Sequence, residues 1–304
     1  MPEVEAEVGE ALVRALLATG PERLRHLSTG PVQHVATGWD NAVWRAGEAY
    51  AVRVPVRAQA APLLSNEAAW TEEASAPLRA SGVRVPRPVH RGFAPELHPW
   101  PWLVVEWVPG EPVSRVSLAE RGVVADTLAD VLPALHRPAP PEAPVSPARG
   151  TPLSARHTMT LQAADRARPH VGDGAVAALL ALVDEARAAP GWPWAPAWCH
   201  GDLHDDNIVL DAAAEPAAVG LIDFGDLTRG DPAVDLRVLW TTFEATHRQG
   251  AVRRLEASGA YDEAVWQRAR GWAAAFVLAV AGDDRGRTEL AGALHHARTQ
   301  LGCP

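Results

Sequence analysis

The chain has 304 residues, 47% of them apolar and 21% charged, which excludes general disorder and exceeds one small core, so one bilobal unit or two domains is expected. A formal net charge of −9 argues against nucleic acid as the main partner, because phosphate binding needs a basic surface, and it favours a cationic second substrate. Two cysteines are too few for a disulfide framework or a zinc cluster, and no uninterrupted apolar span approaches the length of a membrane helix. The start, Met1-Pro2-Glu3-Val4-Glu5, is acidic where a secretory leader is basic, so a cytoplasmic protein is expected. All 28 fixed cations are arginine, since the sequence contains no lysine.

In chain order, Val4–Leu17 carries apolar residues at helical spacing (Val8, Leu12, Val13, Leu16, Leu17). The period then changes to two over Val32–Thr37, Ala42–Arg45 and Ala49–Val56, separated by Gly38-Trp39-Asp40-Asn41 and Gly47-Glu48, which predicts a three-stranded antiparallel meander. A helix is expected over Pro62–Ala80, ending before Ser81-Gly82, followed by strands near Pro88–Phe93 and Trp102–Val108. Val108-Pro109-Gly110-Glu111-Pro112 breaks all periodicity and marks the boundary between two lobes, residues 1–108 and 109–304. Helical patterns occupy Leu118–His136, Ser154–Arg168 with a stop at Pro169, Ala175–Ala189 and most of the chain after Leu236. Strands first and helices afterwards make an α+β arrangement.

Between the helical stretches lie two short extended segments with polar centres, Trp198–Leu210 and Val219–Asp226, read as a hairpin whose loop faces a cleft. Cys199, within the first, is expected to be a buried small hydrophobe. Phosphoryl transfer to a hydroxyl needs a carboxylate to orient the alcohol and take its proton, and hard oxygen ligands for Mg²⁺. Asp202 can serve as the base, and Asn207 and Asp223 as the metal ligands. The spacing of Asp202 and Asn207 equals that in the protein-kinase pattern H-R-D-x-x-x-x-N, and Asp223-Phe224-Gly225 reproduces D-F-G. A plain hairpin turn with helix caps explains neither this spacing nor this order.

Three stretches carry a family resemblance: His200-Gly201-Asp202-Leu203-His204-x-x-Asn207, Ile222-Asp223-Phe224-Gly225-Asp226 and Gly230-Asp231-Pro232-x-x-Asp235-Leu236. In their order over nearly the whole chain they resemble the aminoglycoside phosphotransferase family, which includes macrolide kinases and shares the protein-kinase fold. The resemblance implies a bilobal fold with a small antiparallel-sheet N-lobe and a larger, mainly helical C-lobe. It implies Asp202 as catalytic base and Asn207 and Asp223 as magnesium ligands, with ATP as phosphoryl donor and GTP as the alternative. His200 and Gly201 are expected to be structural, His204 to make a structural hydrogen bond rather than to contact phosphate, Asp226 to shape the turn, and Asp231 and Asp235 to brace the catalytic loop.

In the first lobe Ala51-Val52-Arg53 stands where the kinase pattern has V-A-I-K. Alternation puts Ala51, leaving room for adenine, and Arg53, reaching the phosphates, on one face, with Glu67 on the following helix as partner to the cation. Arginine for lysine is not a conservative exchange in a tight site. The intact Asp202, Asn207 and Asp223 favour an active variant over a pseudokinase. Gly38 and Asn41 lie in the place of a phosphate-covering loop, and Glu106 to Val108 in that of the linker whose backbone meets the base.

The acceptor should be bound by Leu118–Ala189 and Thr241–Thr299, where Glu244, Asp262, Glu263, Asp283 and Asp284 are candidates to bind amines. Aminoglycosides come first as acceptor, conferring resistance, then macrolides or nucleoside antibiotics. The alternatives are a metabolic kinase for homoserine, choline or a sugar, and a non-catalytic nucleotide-binding module. A monomer or homodimer is expected.

Overall fold

The computed structural model describes residues 5–284 and 291–303. Its first part is built on a five-stranded antiparallel sheet. α1 (Glu10–Thr19) and the single turn α2 (Glu22–Arg25) precede β1 (Val32–Thr37), β2 (Asn41–Ala46) and β3 (Tyr50–Pro55), which form the expected meander. α3 (Ala60–Ala80) then leads into β4 (Pro88–Gly92) and β5 (Trp102–Glu106), giving the order β1-β2-β3-β5-β4. One face of this sheet buries Ala42, Trp44, Val52, Val54, Trp102 and Val104 against Leu16, Leu17 and Leu24 of the N-terminal helices. Alternation sends Ala51, Leu103 and Val105 to the other face, where Leu64 of α3 covers them. Each fully buried leucine or valine there contributes roughly 1.5–3 kcal/mol against exposure.

α3 presents Leu64, Glu67, Thr71, Ala74, Ser75 and Leu78 on one buried stripe, at the spacing of a helical face. Glu67 is therefore delivered into the protein by the same periodicity that buries Leu64 and Leu78. Pro62 falls in the helix's first turn, where no intrahelical donor is needed.

The second part begins with β6 (Glu111–Pro112) and α4 (Gly122–Leu135), followed by α5 (His157–Val171) and α6 (Asp173–Ala188). Short strands β7 (Ala197–Cys199), β8 (Ile208–Asp211), β9 (Ala218–Leu221) and β10 (Thr228–Gly230) follow. The chain closes with helices α7 (Ala233–Leu236), α8 (Val238–Thr242), α9 (Ala245–Ala257), α10 (Val265–Ala281) and α11 (Ala291–Gln300). α10 is the centre of the helical core: Ala269, Trp272, Ala273, Val277 and Leu278 are buried with Leu179 and Val183 of α6 and Ala163 and Ala167 of α5. The architecture is α+β, a small antiparallel sheet joined to a larger helical part.

Three expectations are corrected. The first helix starts at Glu10, because Gly9 is extended and the Glu5 and Ala6 amides both bond the Val56 carbonyl; Val4, its expected start, lies outside the described residues. α5 runs through Pro169 to Val171 and ends at Gly172 with φ 85°, since a proline in the last turn removes one hydrogen bond without stopping the helix. The expected single hairpin is two pairings: β8 pairs β9, while Trp198 and Cys199 on β7 pair with Arg229 and Thr228 on β10. The polar loop between β7 and β8 thus crosses from one small sheet to the other. Cys199 is fully buried, as expected of a small hydrophobe. No helix among the described residues is long and apolar enough to cross a membrane.

Candidate active site

The crossing loop from His200 to Asn207 is fixed from below by buried groups. Asp235 on α7 accepts from the His200 N–H at 2.7 Å and the Gly201 N–H at 2.8 Å, and its Oδ2 lies 3.1 Å from His136 Nε2. His136 in turn bonds the Tyr261 hydroxyl at 2.8 Å. Although burial pushes the Asp235 carboxyl up, His136, His200 and the Gly201 amide hold it below the usual carboxylate range, so a buried anion serves as the loop's foundation. The His200 ring donates from Nε2 to the Ile222 carbonyl at 2.9 Å and packs on Phe224 of the Asp223-Phe224-Gly225 run. Gly201 has φ 85°, and a Cβ there would stand 2.2 Å from the Asp226 carbonyl oxygen, so only glycine lets the two segments touch.

On this base stand the three residues singled out for the chemistry. The Asn207 Nδ2 donates to the Asp202 carbonyl at 2.9 Å and lies 3.1 Å from His204 Nε2. That orientation leaves the Oδ1 carbonyl as the ligand atom the side chain can offer, a hard oxygen. Asp223 is the one non-glycine residue among the described residues with positive φ, at 63°, a strained conformation that turns its carboxylate towards the sheet. Oδ1 of Asp223 is bound by Arg53, while its side chain stays 47% exposed, so a carboxylate oxygen remains for a cation. The two oxygens are the donor set Mg²⁺ prefers, and the residues present fit that ion.

Asp202 is surrounded by cations. Its Oδ1 lies 3.1 Å from Arg237 Nη2 and 3.0 Å from Arg149 Nη2, and its Oδ2 is 3.7 Å from His204 Nε2. Burial pushes the carboxyl up, but Arg149, His204 and Arg237 together hold it well below the usual carboxylate range. Arg237, 1% exposed, also donates to the Leu203 carbonyl and lies 4.6 Å over the Phe276 ring. Arg149 reaches Asp226 as well, at 3.6 Å. Asp226, expected to shape the turn, does so with its carbonyl against Gly201 and pairs through its side chain.

Across the cleft, Arg53 on β3 binds Glu67 Oε1 at 3.0 Å with Nη1 and Asp223 Oδ1 at 2.5 Å with Nη2. One guanidinium fork so spans two carboxylates that a lysine would have to share through a single nitrogen. Burial pushes the Glu67 carboxyl up to about 7 against the pull of Arg53. Ala51 is buried on the same face of β3, as alternation requires. Gly38 donates to the Asn41 carbonyl at 2.9 Å, and the Asn41 side chain is buried with Oδ1 unpartnered. Asp40 between them is tied to Arg57 by two bonds of 2.8 and 2.6 Å. The Glu106 and Trp107 amides bond the Arg87 and Ala49 carbonyls, and the Val108 amide has no protein partner among the described residues.

Three groups escaped the sequence reading. Arg237 had a signal, a lone cation inside the apolar run Ala233–Trp240, which marks a buried ion pair. Arg149 and Arg156 had none, lying in or just after a proline-rich connector. Asp205 and Asp206 come within 4.8 Å of His204, but they are committed to the loop: Asp205 pairs with Arg121 at 3.5 Å and Asp206 accepts from the Ser114 hydroxyl. Of the residues expected to bind amines, Asp262 is spent on Arg268 at 2.7 Å. Asp231 serves the same arginine at 2.6 Å and accepts from the Ala233 amide at 3.0 Å where α7 begins, whereas Asp235 is the aspartate that braces the catalytic loop. The cavity of about 310 Å³ under Trp192, Trp194 and Trp272 contains none of Asp202, Asn207 or Asp223.

Residues 31–272 match the model of a family described as the phosphotransferase enzyme family. No curated protein sequence matches the chain. Among solved structures it is similar to the GDP complex of wild-type aminoglycoside 2'-phosphotransferase-IIIa, with 16% identity, a TM-score of 0.67, and 96% of this chain and 99% of that chain covered. It is similar also to an aminoglycoside-3'-phosphotransferase of type VIII, with 25% identity, a TM-score of 0.57, and coverage of 88% and 100%. A macrolide 2'-phosphotransferase apoenzyme from Brachybacterium faecium aligns with 19% identity and a TM-score of 0.57 over 91% of this chain and 93% of that one.

Proposed function

We propose, from the premise that this chain belongs to the phosphotransferase enzyme family and is a kinase-type enzyme, that it transfers the terminal phosphoryl group of a magnesium-bound nucleoside triphosphate to a hydroxyl of a small molecule in the cytoplasm. The observation that carries this is the convergence of Asp202, Asn207 and Asp223 on one cleft, with Arg53 opposite, in a loop braced by Asp235. Residues 1–108 hold the nucleotide and residues 109–304 hold the catalytic loop and the acceptor.

Asp202 Oδ2 faces the acceptor hydroxyl, because Oδ1 is taken by Arg149 and Arg237. As the acceptor oxygen bonds to phosphorus, the bond from phosphorus to the bridging oxygen breaks and the hydroxyl proton passes to Asp202. Arg149, His204 and Arg237 lower the carboxyl and fix its direction, so Asp202 orients the hydroxyl as well as taking its proton, which suits a loose phosphoryl-transfer transition state. Magnesium, held by Asn207 Oδ1 and Asp223, would neutralise charge on the phosphates. Arg53, held by Glu67 and Asp223, is placed to contact the phosphates that such an ion would carry. Ala51 leaves room for the base, Gly38 and Asn41 shape the covering loop, and the backbone from Glu106 to Val108 meets the base edge. ATP is the expected donor, with GTP the alternative; the GDP complex of one structural relative supports nucleotide use.

Asp202→Asn tests this reading. Loss of a positioned general base lowers phosphoryl transfer by about a hundredfold or more, while nucleotide affinity holds and thermal unfolding confirms the fold. Unchanged transfer would falsify the assignment. An antibiotic acceptor, aminoglycoside before macrolide, is the second reading, favoured by the named activities of the relatives. A resistance panel with product mass shifts decides it: no protection, beside rapid turnover of a metabolite, would sink it.

A further inference from the structure

The charges on the acceptor side of Asp202 do not balance. Asp202 pairs with Arg149 and Arg237, Asp226 pairs with Arg149, His204 stands beside them, and Arg156 is a third guanidinium nearby, over the Trp272 ring. Asp205 offers nothing here, being paired with Arg121. Arg237 and Arg149 share one oxygen of Asp202, which accounts for the two aspartates' cations. Arg156 is surplus. It stands at the entrance to α5, its guanidinium 4.9 Å over the Trp272 ring, and no ion pair forms to it among the described residues. Its Nε is buried without a hydrogen-bond partner. Trp272 and Phe276 stand one turn apart on α10, so Arg156 over the first ring lies beside Arg237 over the second, and it feels the charges of Asp202, Asp226, Arg149 and Arg237. Burial first, then the two neighbouring arginines, push it down to about 10, so it remains a cation at neutral pH. A desolvated cation crowded by two others is costly unless an anion meets it.

The arrangement is also built. Gly150 has φ 65°, and a Cβ on Gly230 would lie 2.2 Å from the Gly150 carbonyl oxygen, so the two backbones touch. Asp231 donates to that carbonyl, Arg229 to the Pro144 carbonyl, and Ser146 to Thr228 Oγ1, each at 2.9 Å. The Ser146 hydroxyl then accepts from the Ala148 and Arg149 amides. These contacts pin the proline-rich connector onto β10 and fix where Arg149 stands, which is preorganisation of a kind a loose surface arginine lacks. Trp272 limits the Arg156 guanidinium from one face.

Resting on the phosphotransferase reading above, and against its second reading of an aminoglycoside acceptor, we propose that the acceptor carries an oxyanion, a carboxylate or a phosphate, beside the hydroxyl that is phosphorylated, and that Arg149 and Arg156 bind it. Guanidinium forks match either group with paired N–H donors. An amine brought to the same place would meet three guanidinium groups. The oxyanion restores the balance, and its distance from Asp202 fixes which hydroxyl reaches Oδ2.

The test uses the full chain with arginine labelled at ¹⁵Nε, saturated with Mg²⁺ and a non-hydrolysable ATP analogue so that the nucleotide's own phosphates are already placed. Inorganic phosphate, acetate and kanamycin are titrated in separate arms. The Arg156 Nε–H signal, assigned by its loss in Arg156→Lys, should shift saturably at concentrations at least about tenfold below those that move Arg115, which is 74% exposed. Arg156→Gln should abolish phosphate binding measured by calorimetry, and Arg156→Lys should retain it. The phosphate and acetate arms tell which oxyanion is preferred, and a response to either supports the proposal. It is overturned if Arg156 moves only in parallel with Arg115, if the analogue alone saturates its shift, or if kanamycin occupies the site as well as the anions. Should Mg²⁺ and the analogue fail to bind at all, the phosphotransferase reading fails instead.

Discussion

The two sides of the cleft use the same residue type to opposite ends. On the proposed nucleotide side one guanidinium, Arg53, lies between two carboxylates, Glu67 and Asp223, so a negative charge is left over once Glu67, raised to about 7, is ionised. On the proposed acceptor side Arg149 and Arg237 meet two carboxylates with Arg156 beside them, and a positive charge is left over. The first imbalance suits a divalent cation carrying phosphates; the second suits an anion. The net charge of −9 describes neither. A global charge sets the field far from the protein, whereas within a few ångströms of Asp202 the neighbouring side chains decide, because interactions strengthen in a low-dielectric cleft. The expectation of a cationic acceptor came from the global number, from the resemblance to aminoglycoside phosphotransferases and from acidic residues such as Glu244 and Asp262.

Breaking the acceptor side should have the largest effect. Arg237→Met removes a fully buried cation and leaves Asp202 with Arg149 and His204. Losing one partner of a buried pair costs about 3–5 kcal/mol, and the lower figure applies because Asp202 is 25% exposed and keeps a second arginine. Denaturant unfolding should show this loss, and phosphoryl transfer should fall with it as Asp202 loses its orientation. In a double-mutant cycle, Asp202→Asn should cost clearly less stability in the Arg237→Met background than in the parent. Strict additivity would mean that the two residues do not hold one another, and the comparison between the two sides would lose its firmer half.

On the nucleotide side the decisive change is Arg53→Lys, which keeps the charge and removes the fork. A single ammonium cannot hold Glu67 and Asp223 with separate nitrogens, so one contact lengthens. The expected outcome is a rise of about tenfold in KM for the nucleotide, worth ~1.4 kcal/mol, with acceptor KM unaltered. Steady-state kinetics with both substrates varied would check it. A lysine variant equal to or better than the parent would mean that the fork is an accident of a lysine-free composition.

How much of this was legible in the sequence follows from range. The meander, α3 and the catalytic loop were readable because each is written in local periodicity or in a fixed spacing such as Asp202 to Asn207. The Arg53–Glu67 pair was readable because Ala51-Val52-Arg53 stands in the place of the kinase V-A-I-K pattern, whose cation takes its partner from the following helix. What could not be read depends on contacts between distant segments. Arg149 meets Asp202 only because Gly150 and Gly230, eighty residues apart, allow their backbones to touch. The pairing of β7 with β10 in place of a simple hairpin has the same origin, since strand partners are chosen by the whole core. Pro169 was over-read as a stop because proline's cost depends on how many turns follow it, and here only its own turn remains.

The smallest effect, and the most direct reading of the nucleotide side's surplus charge, is a pH dependence. The Glu67 carboxyl is raised to about 7 in the folded protein, from an ordinary value of 4.5. Between those values the folded state holds a proton that the unfolded chain has lost, so this group makes stability fall as pH rises through that window. Lowered histidines such as His90, His98 and His296 act with the opposite sign near pH 6.5, because the unfolded chain binds the extra proton there. Asp202 and Asp223, both lowered, are already ionised in both states above about pH 5 and leave the window flat. Subtraction isolates the one group: the stability difference between the parent and Glu67→Gln, followed by denaturant unfolding from pH 5 to 8, should drift against the parent as pH rises and level off above 7. Saturation with Mg²⁺ and a nucleotide should flatten the drift, because the added cation favours ionised Glu67 and Asp223 together. A difference independent of pH in the ligand-free protein would show that Arg53 alone keeps Glu67 ionised, and the charge surplus assigned to that side would then be fully expressed before any metal arrives.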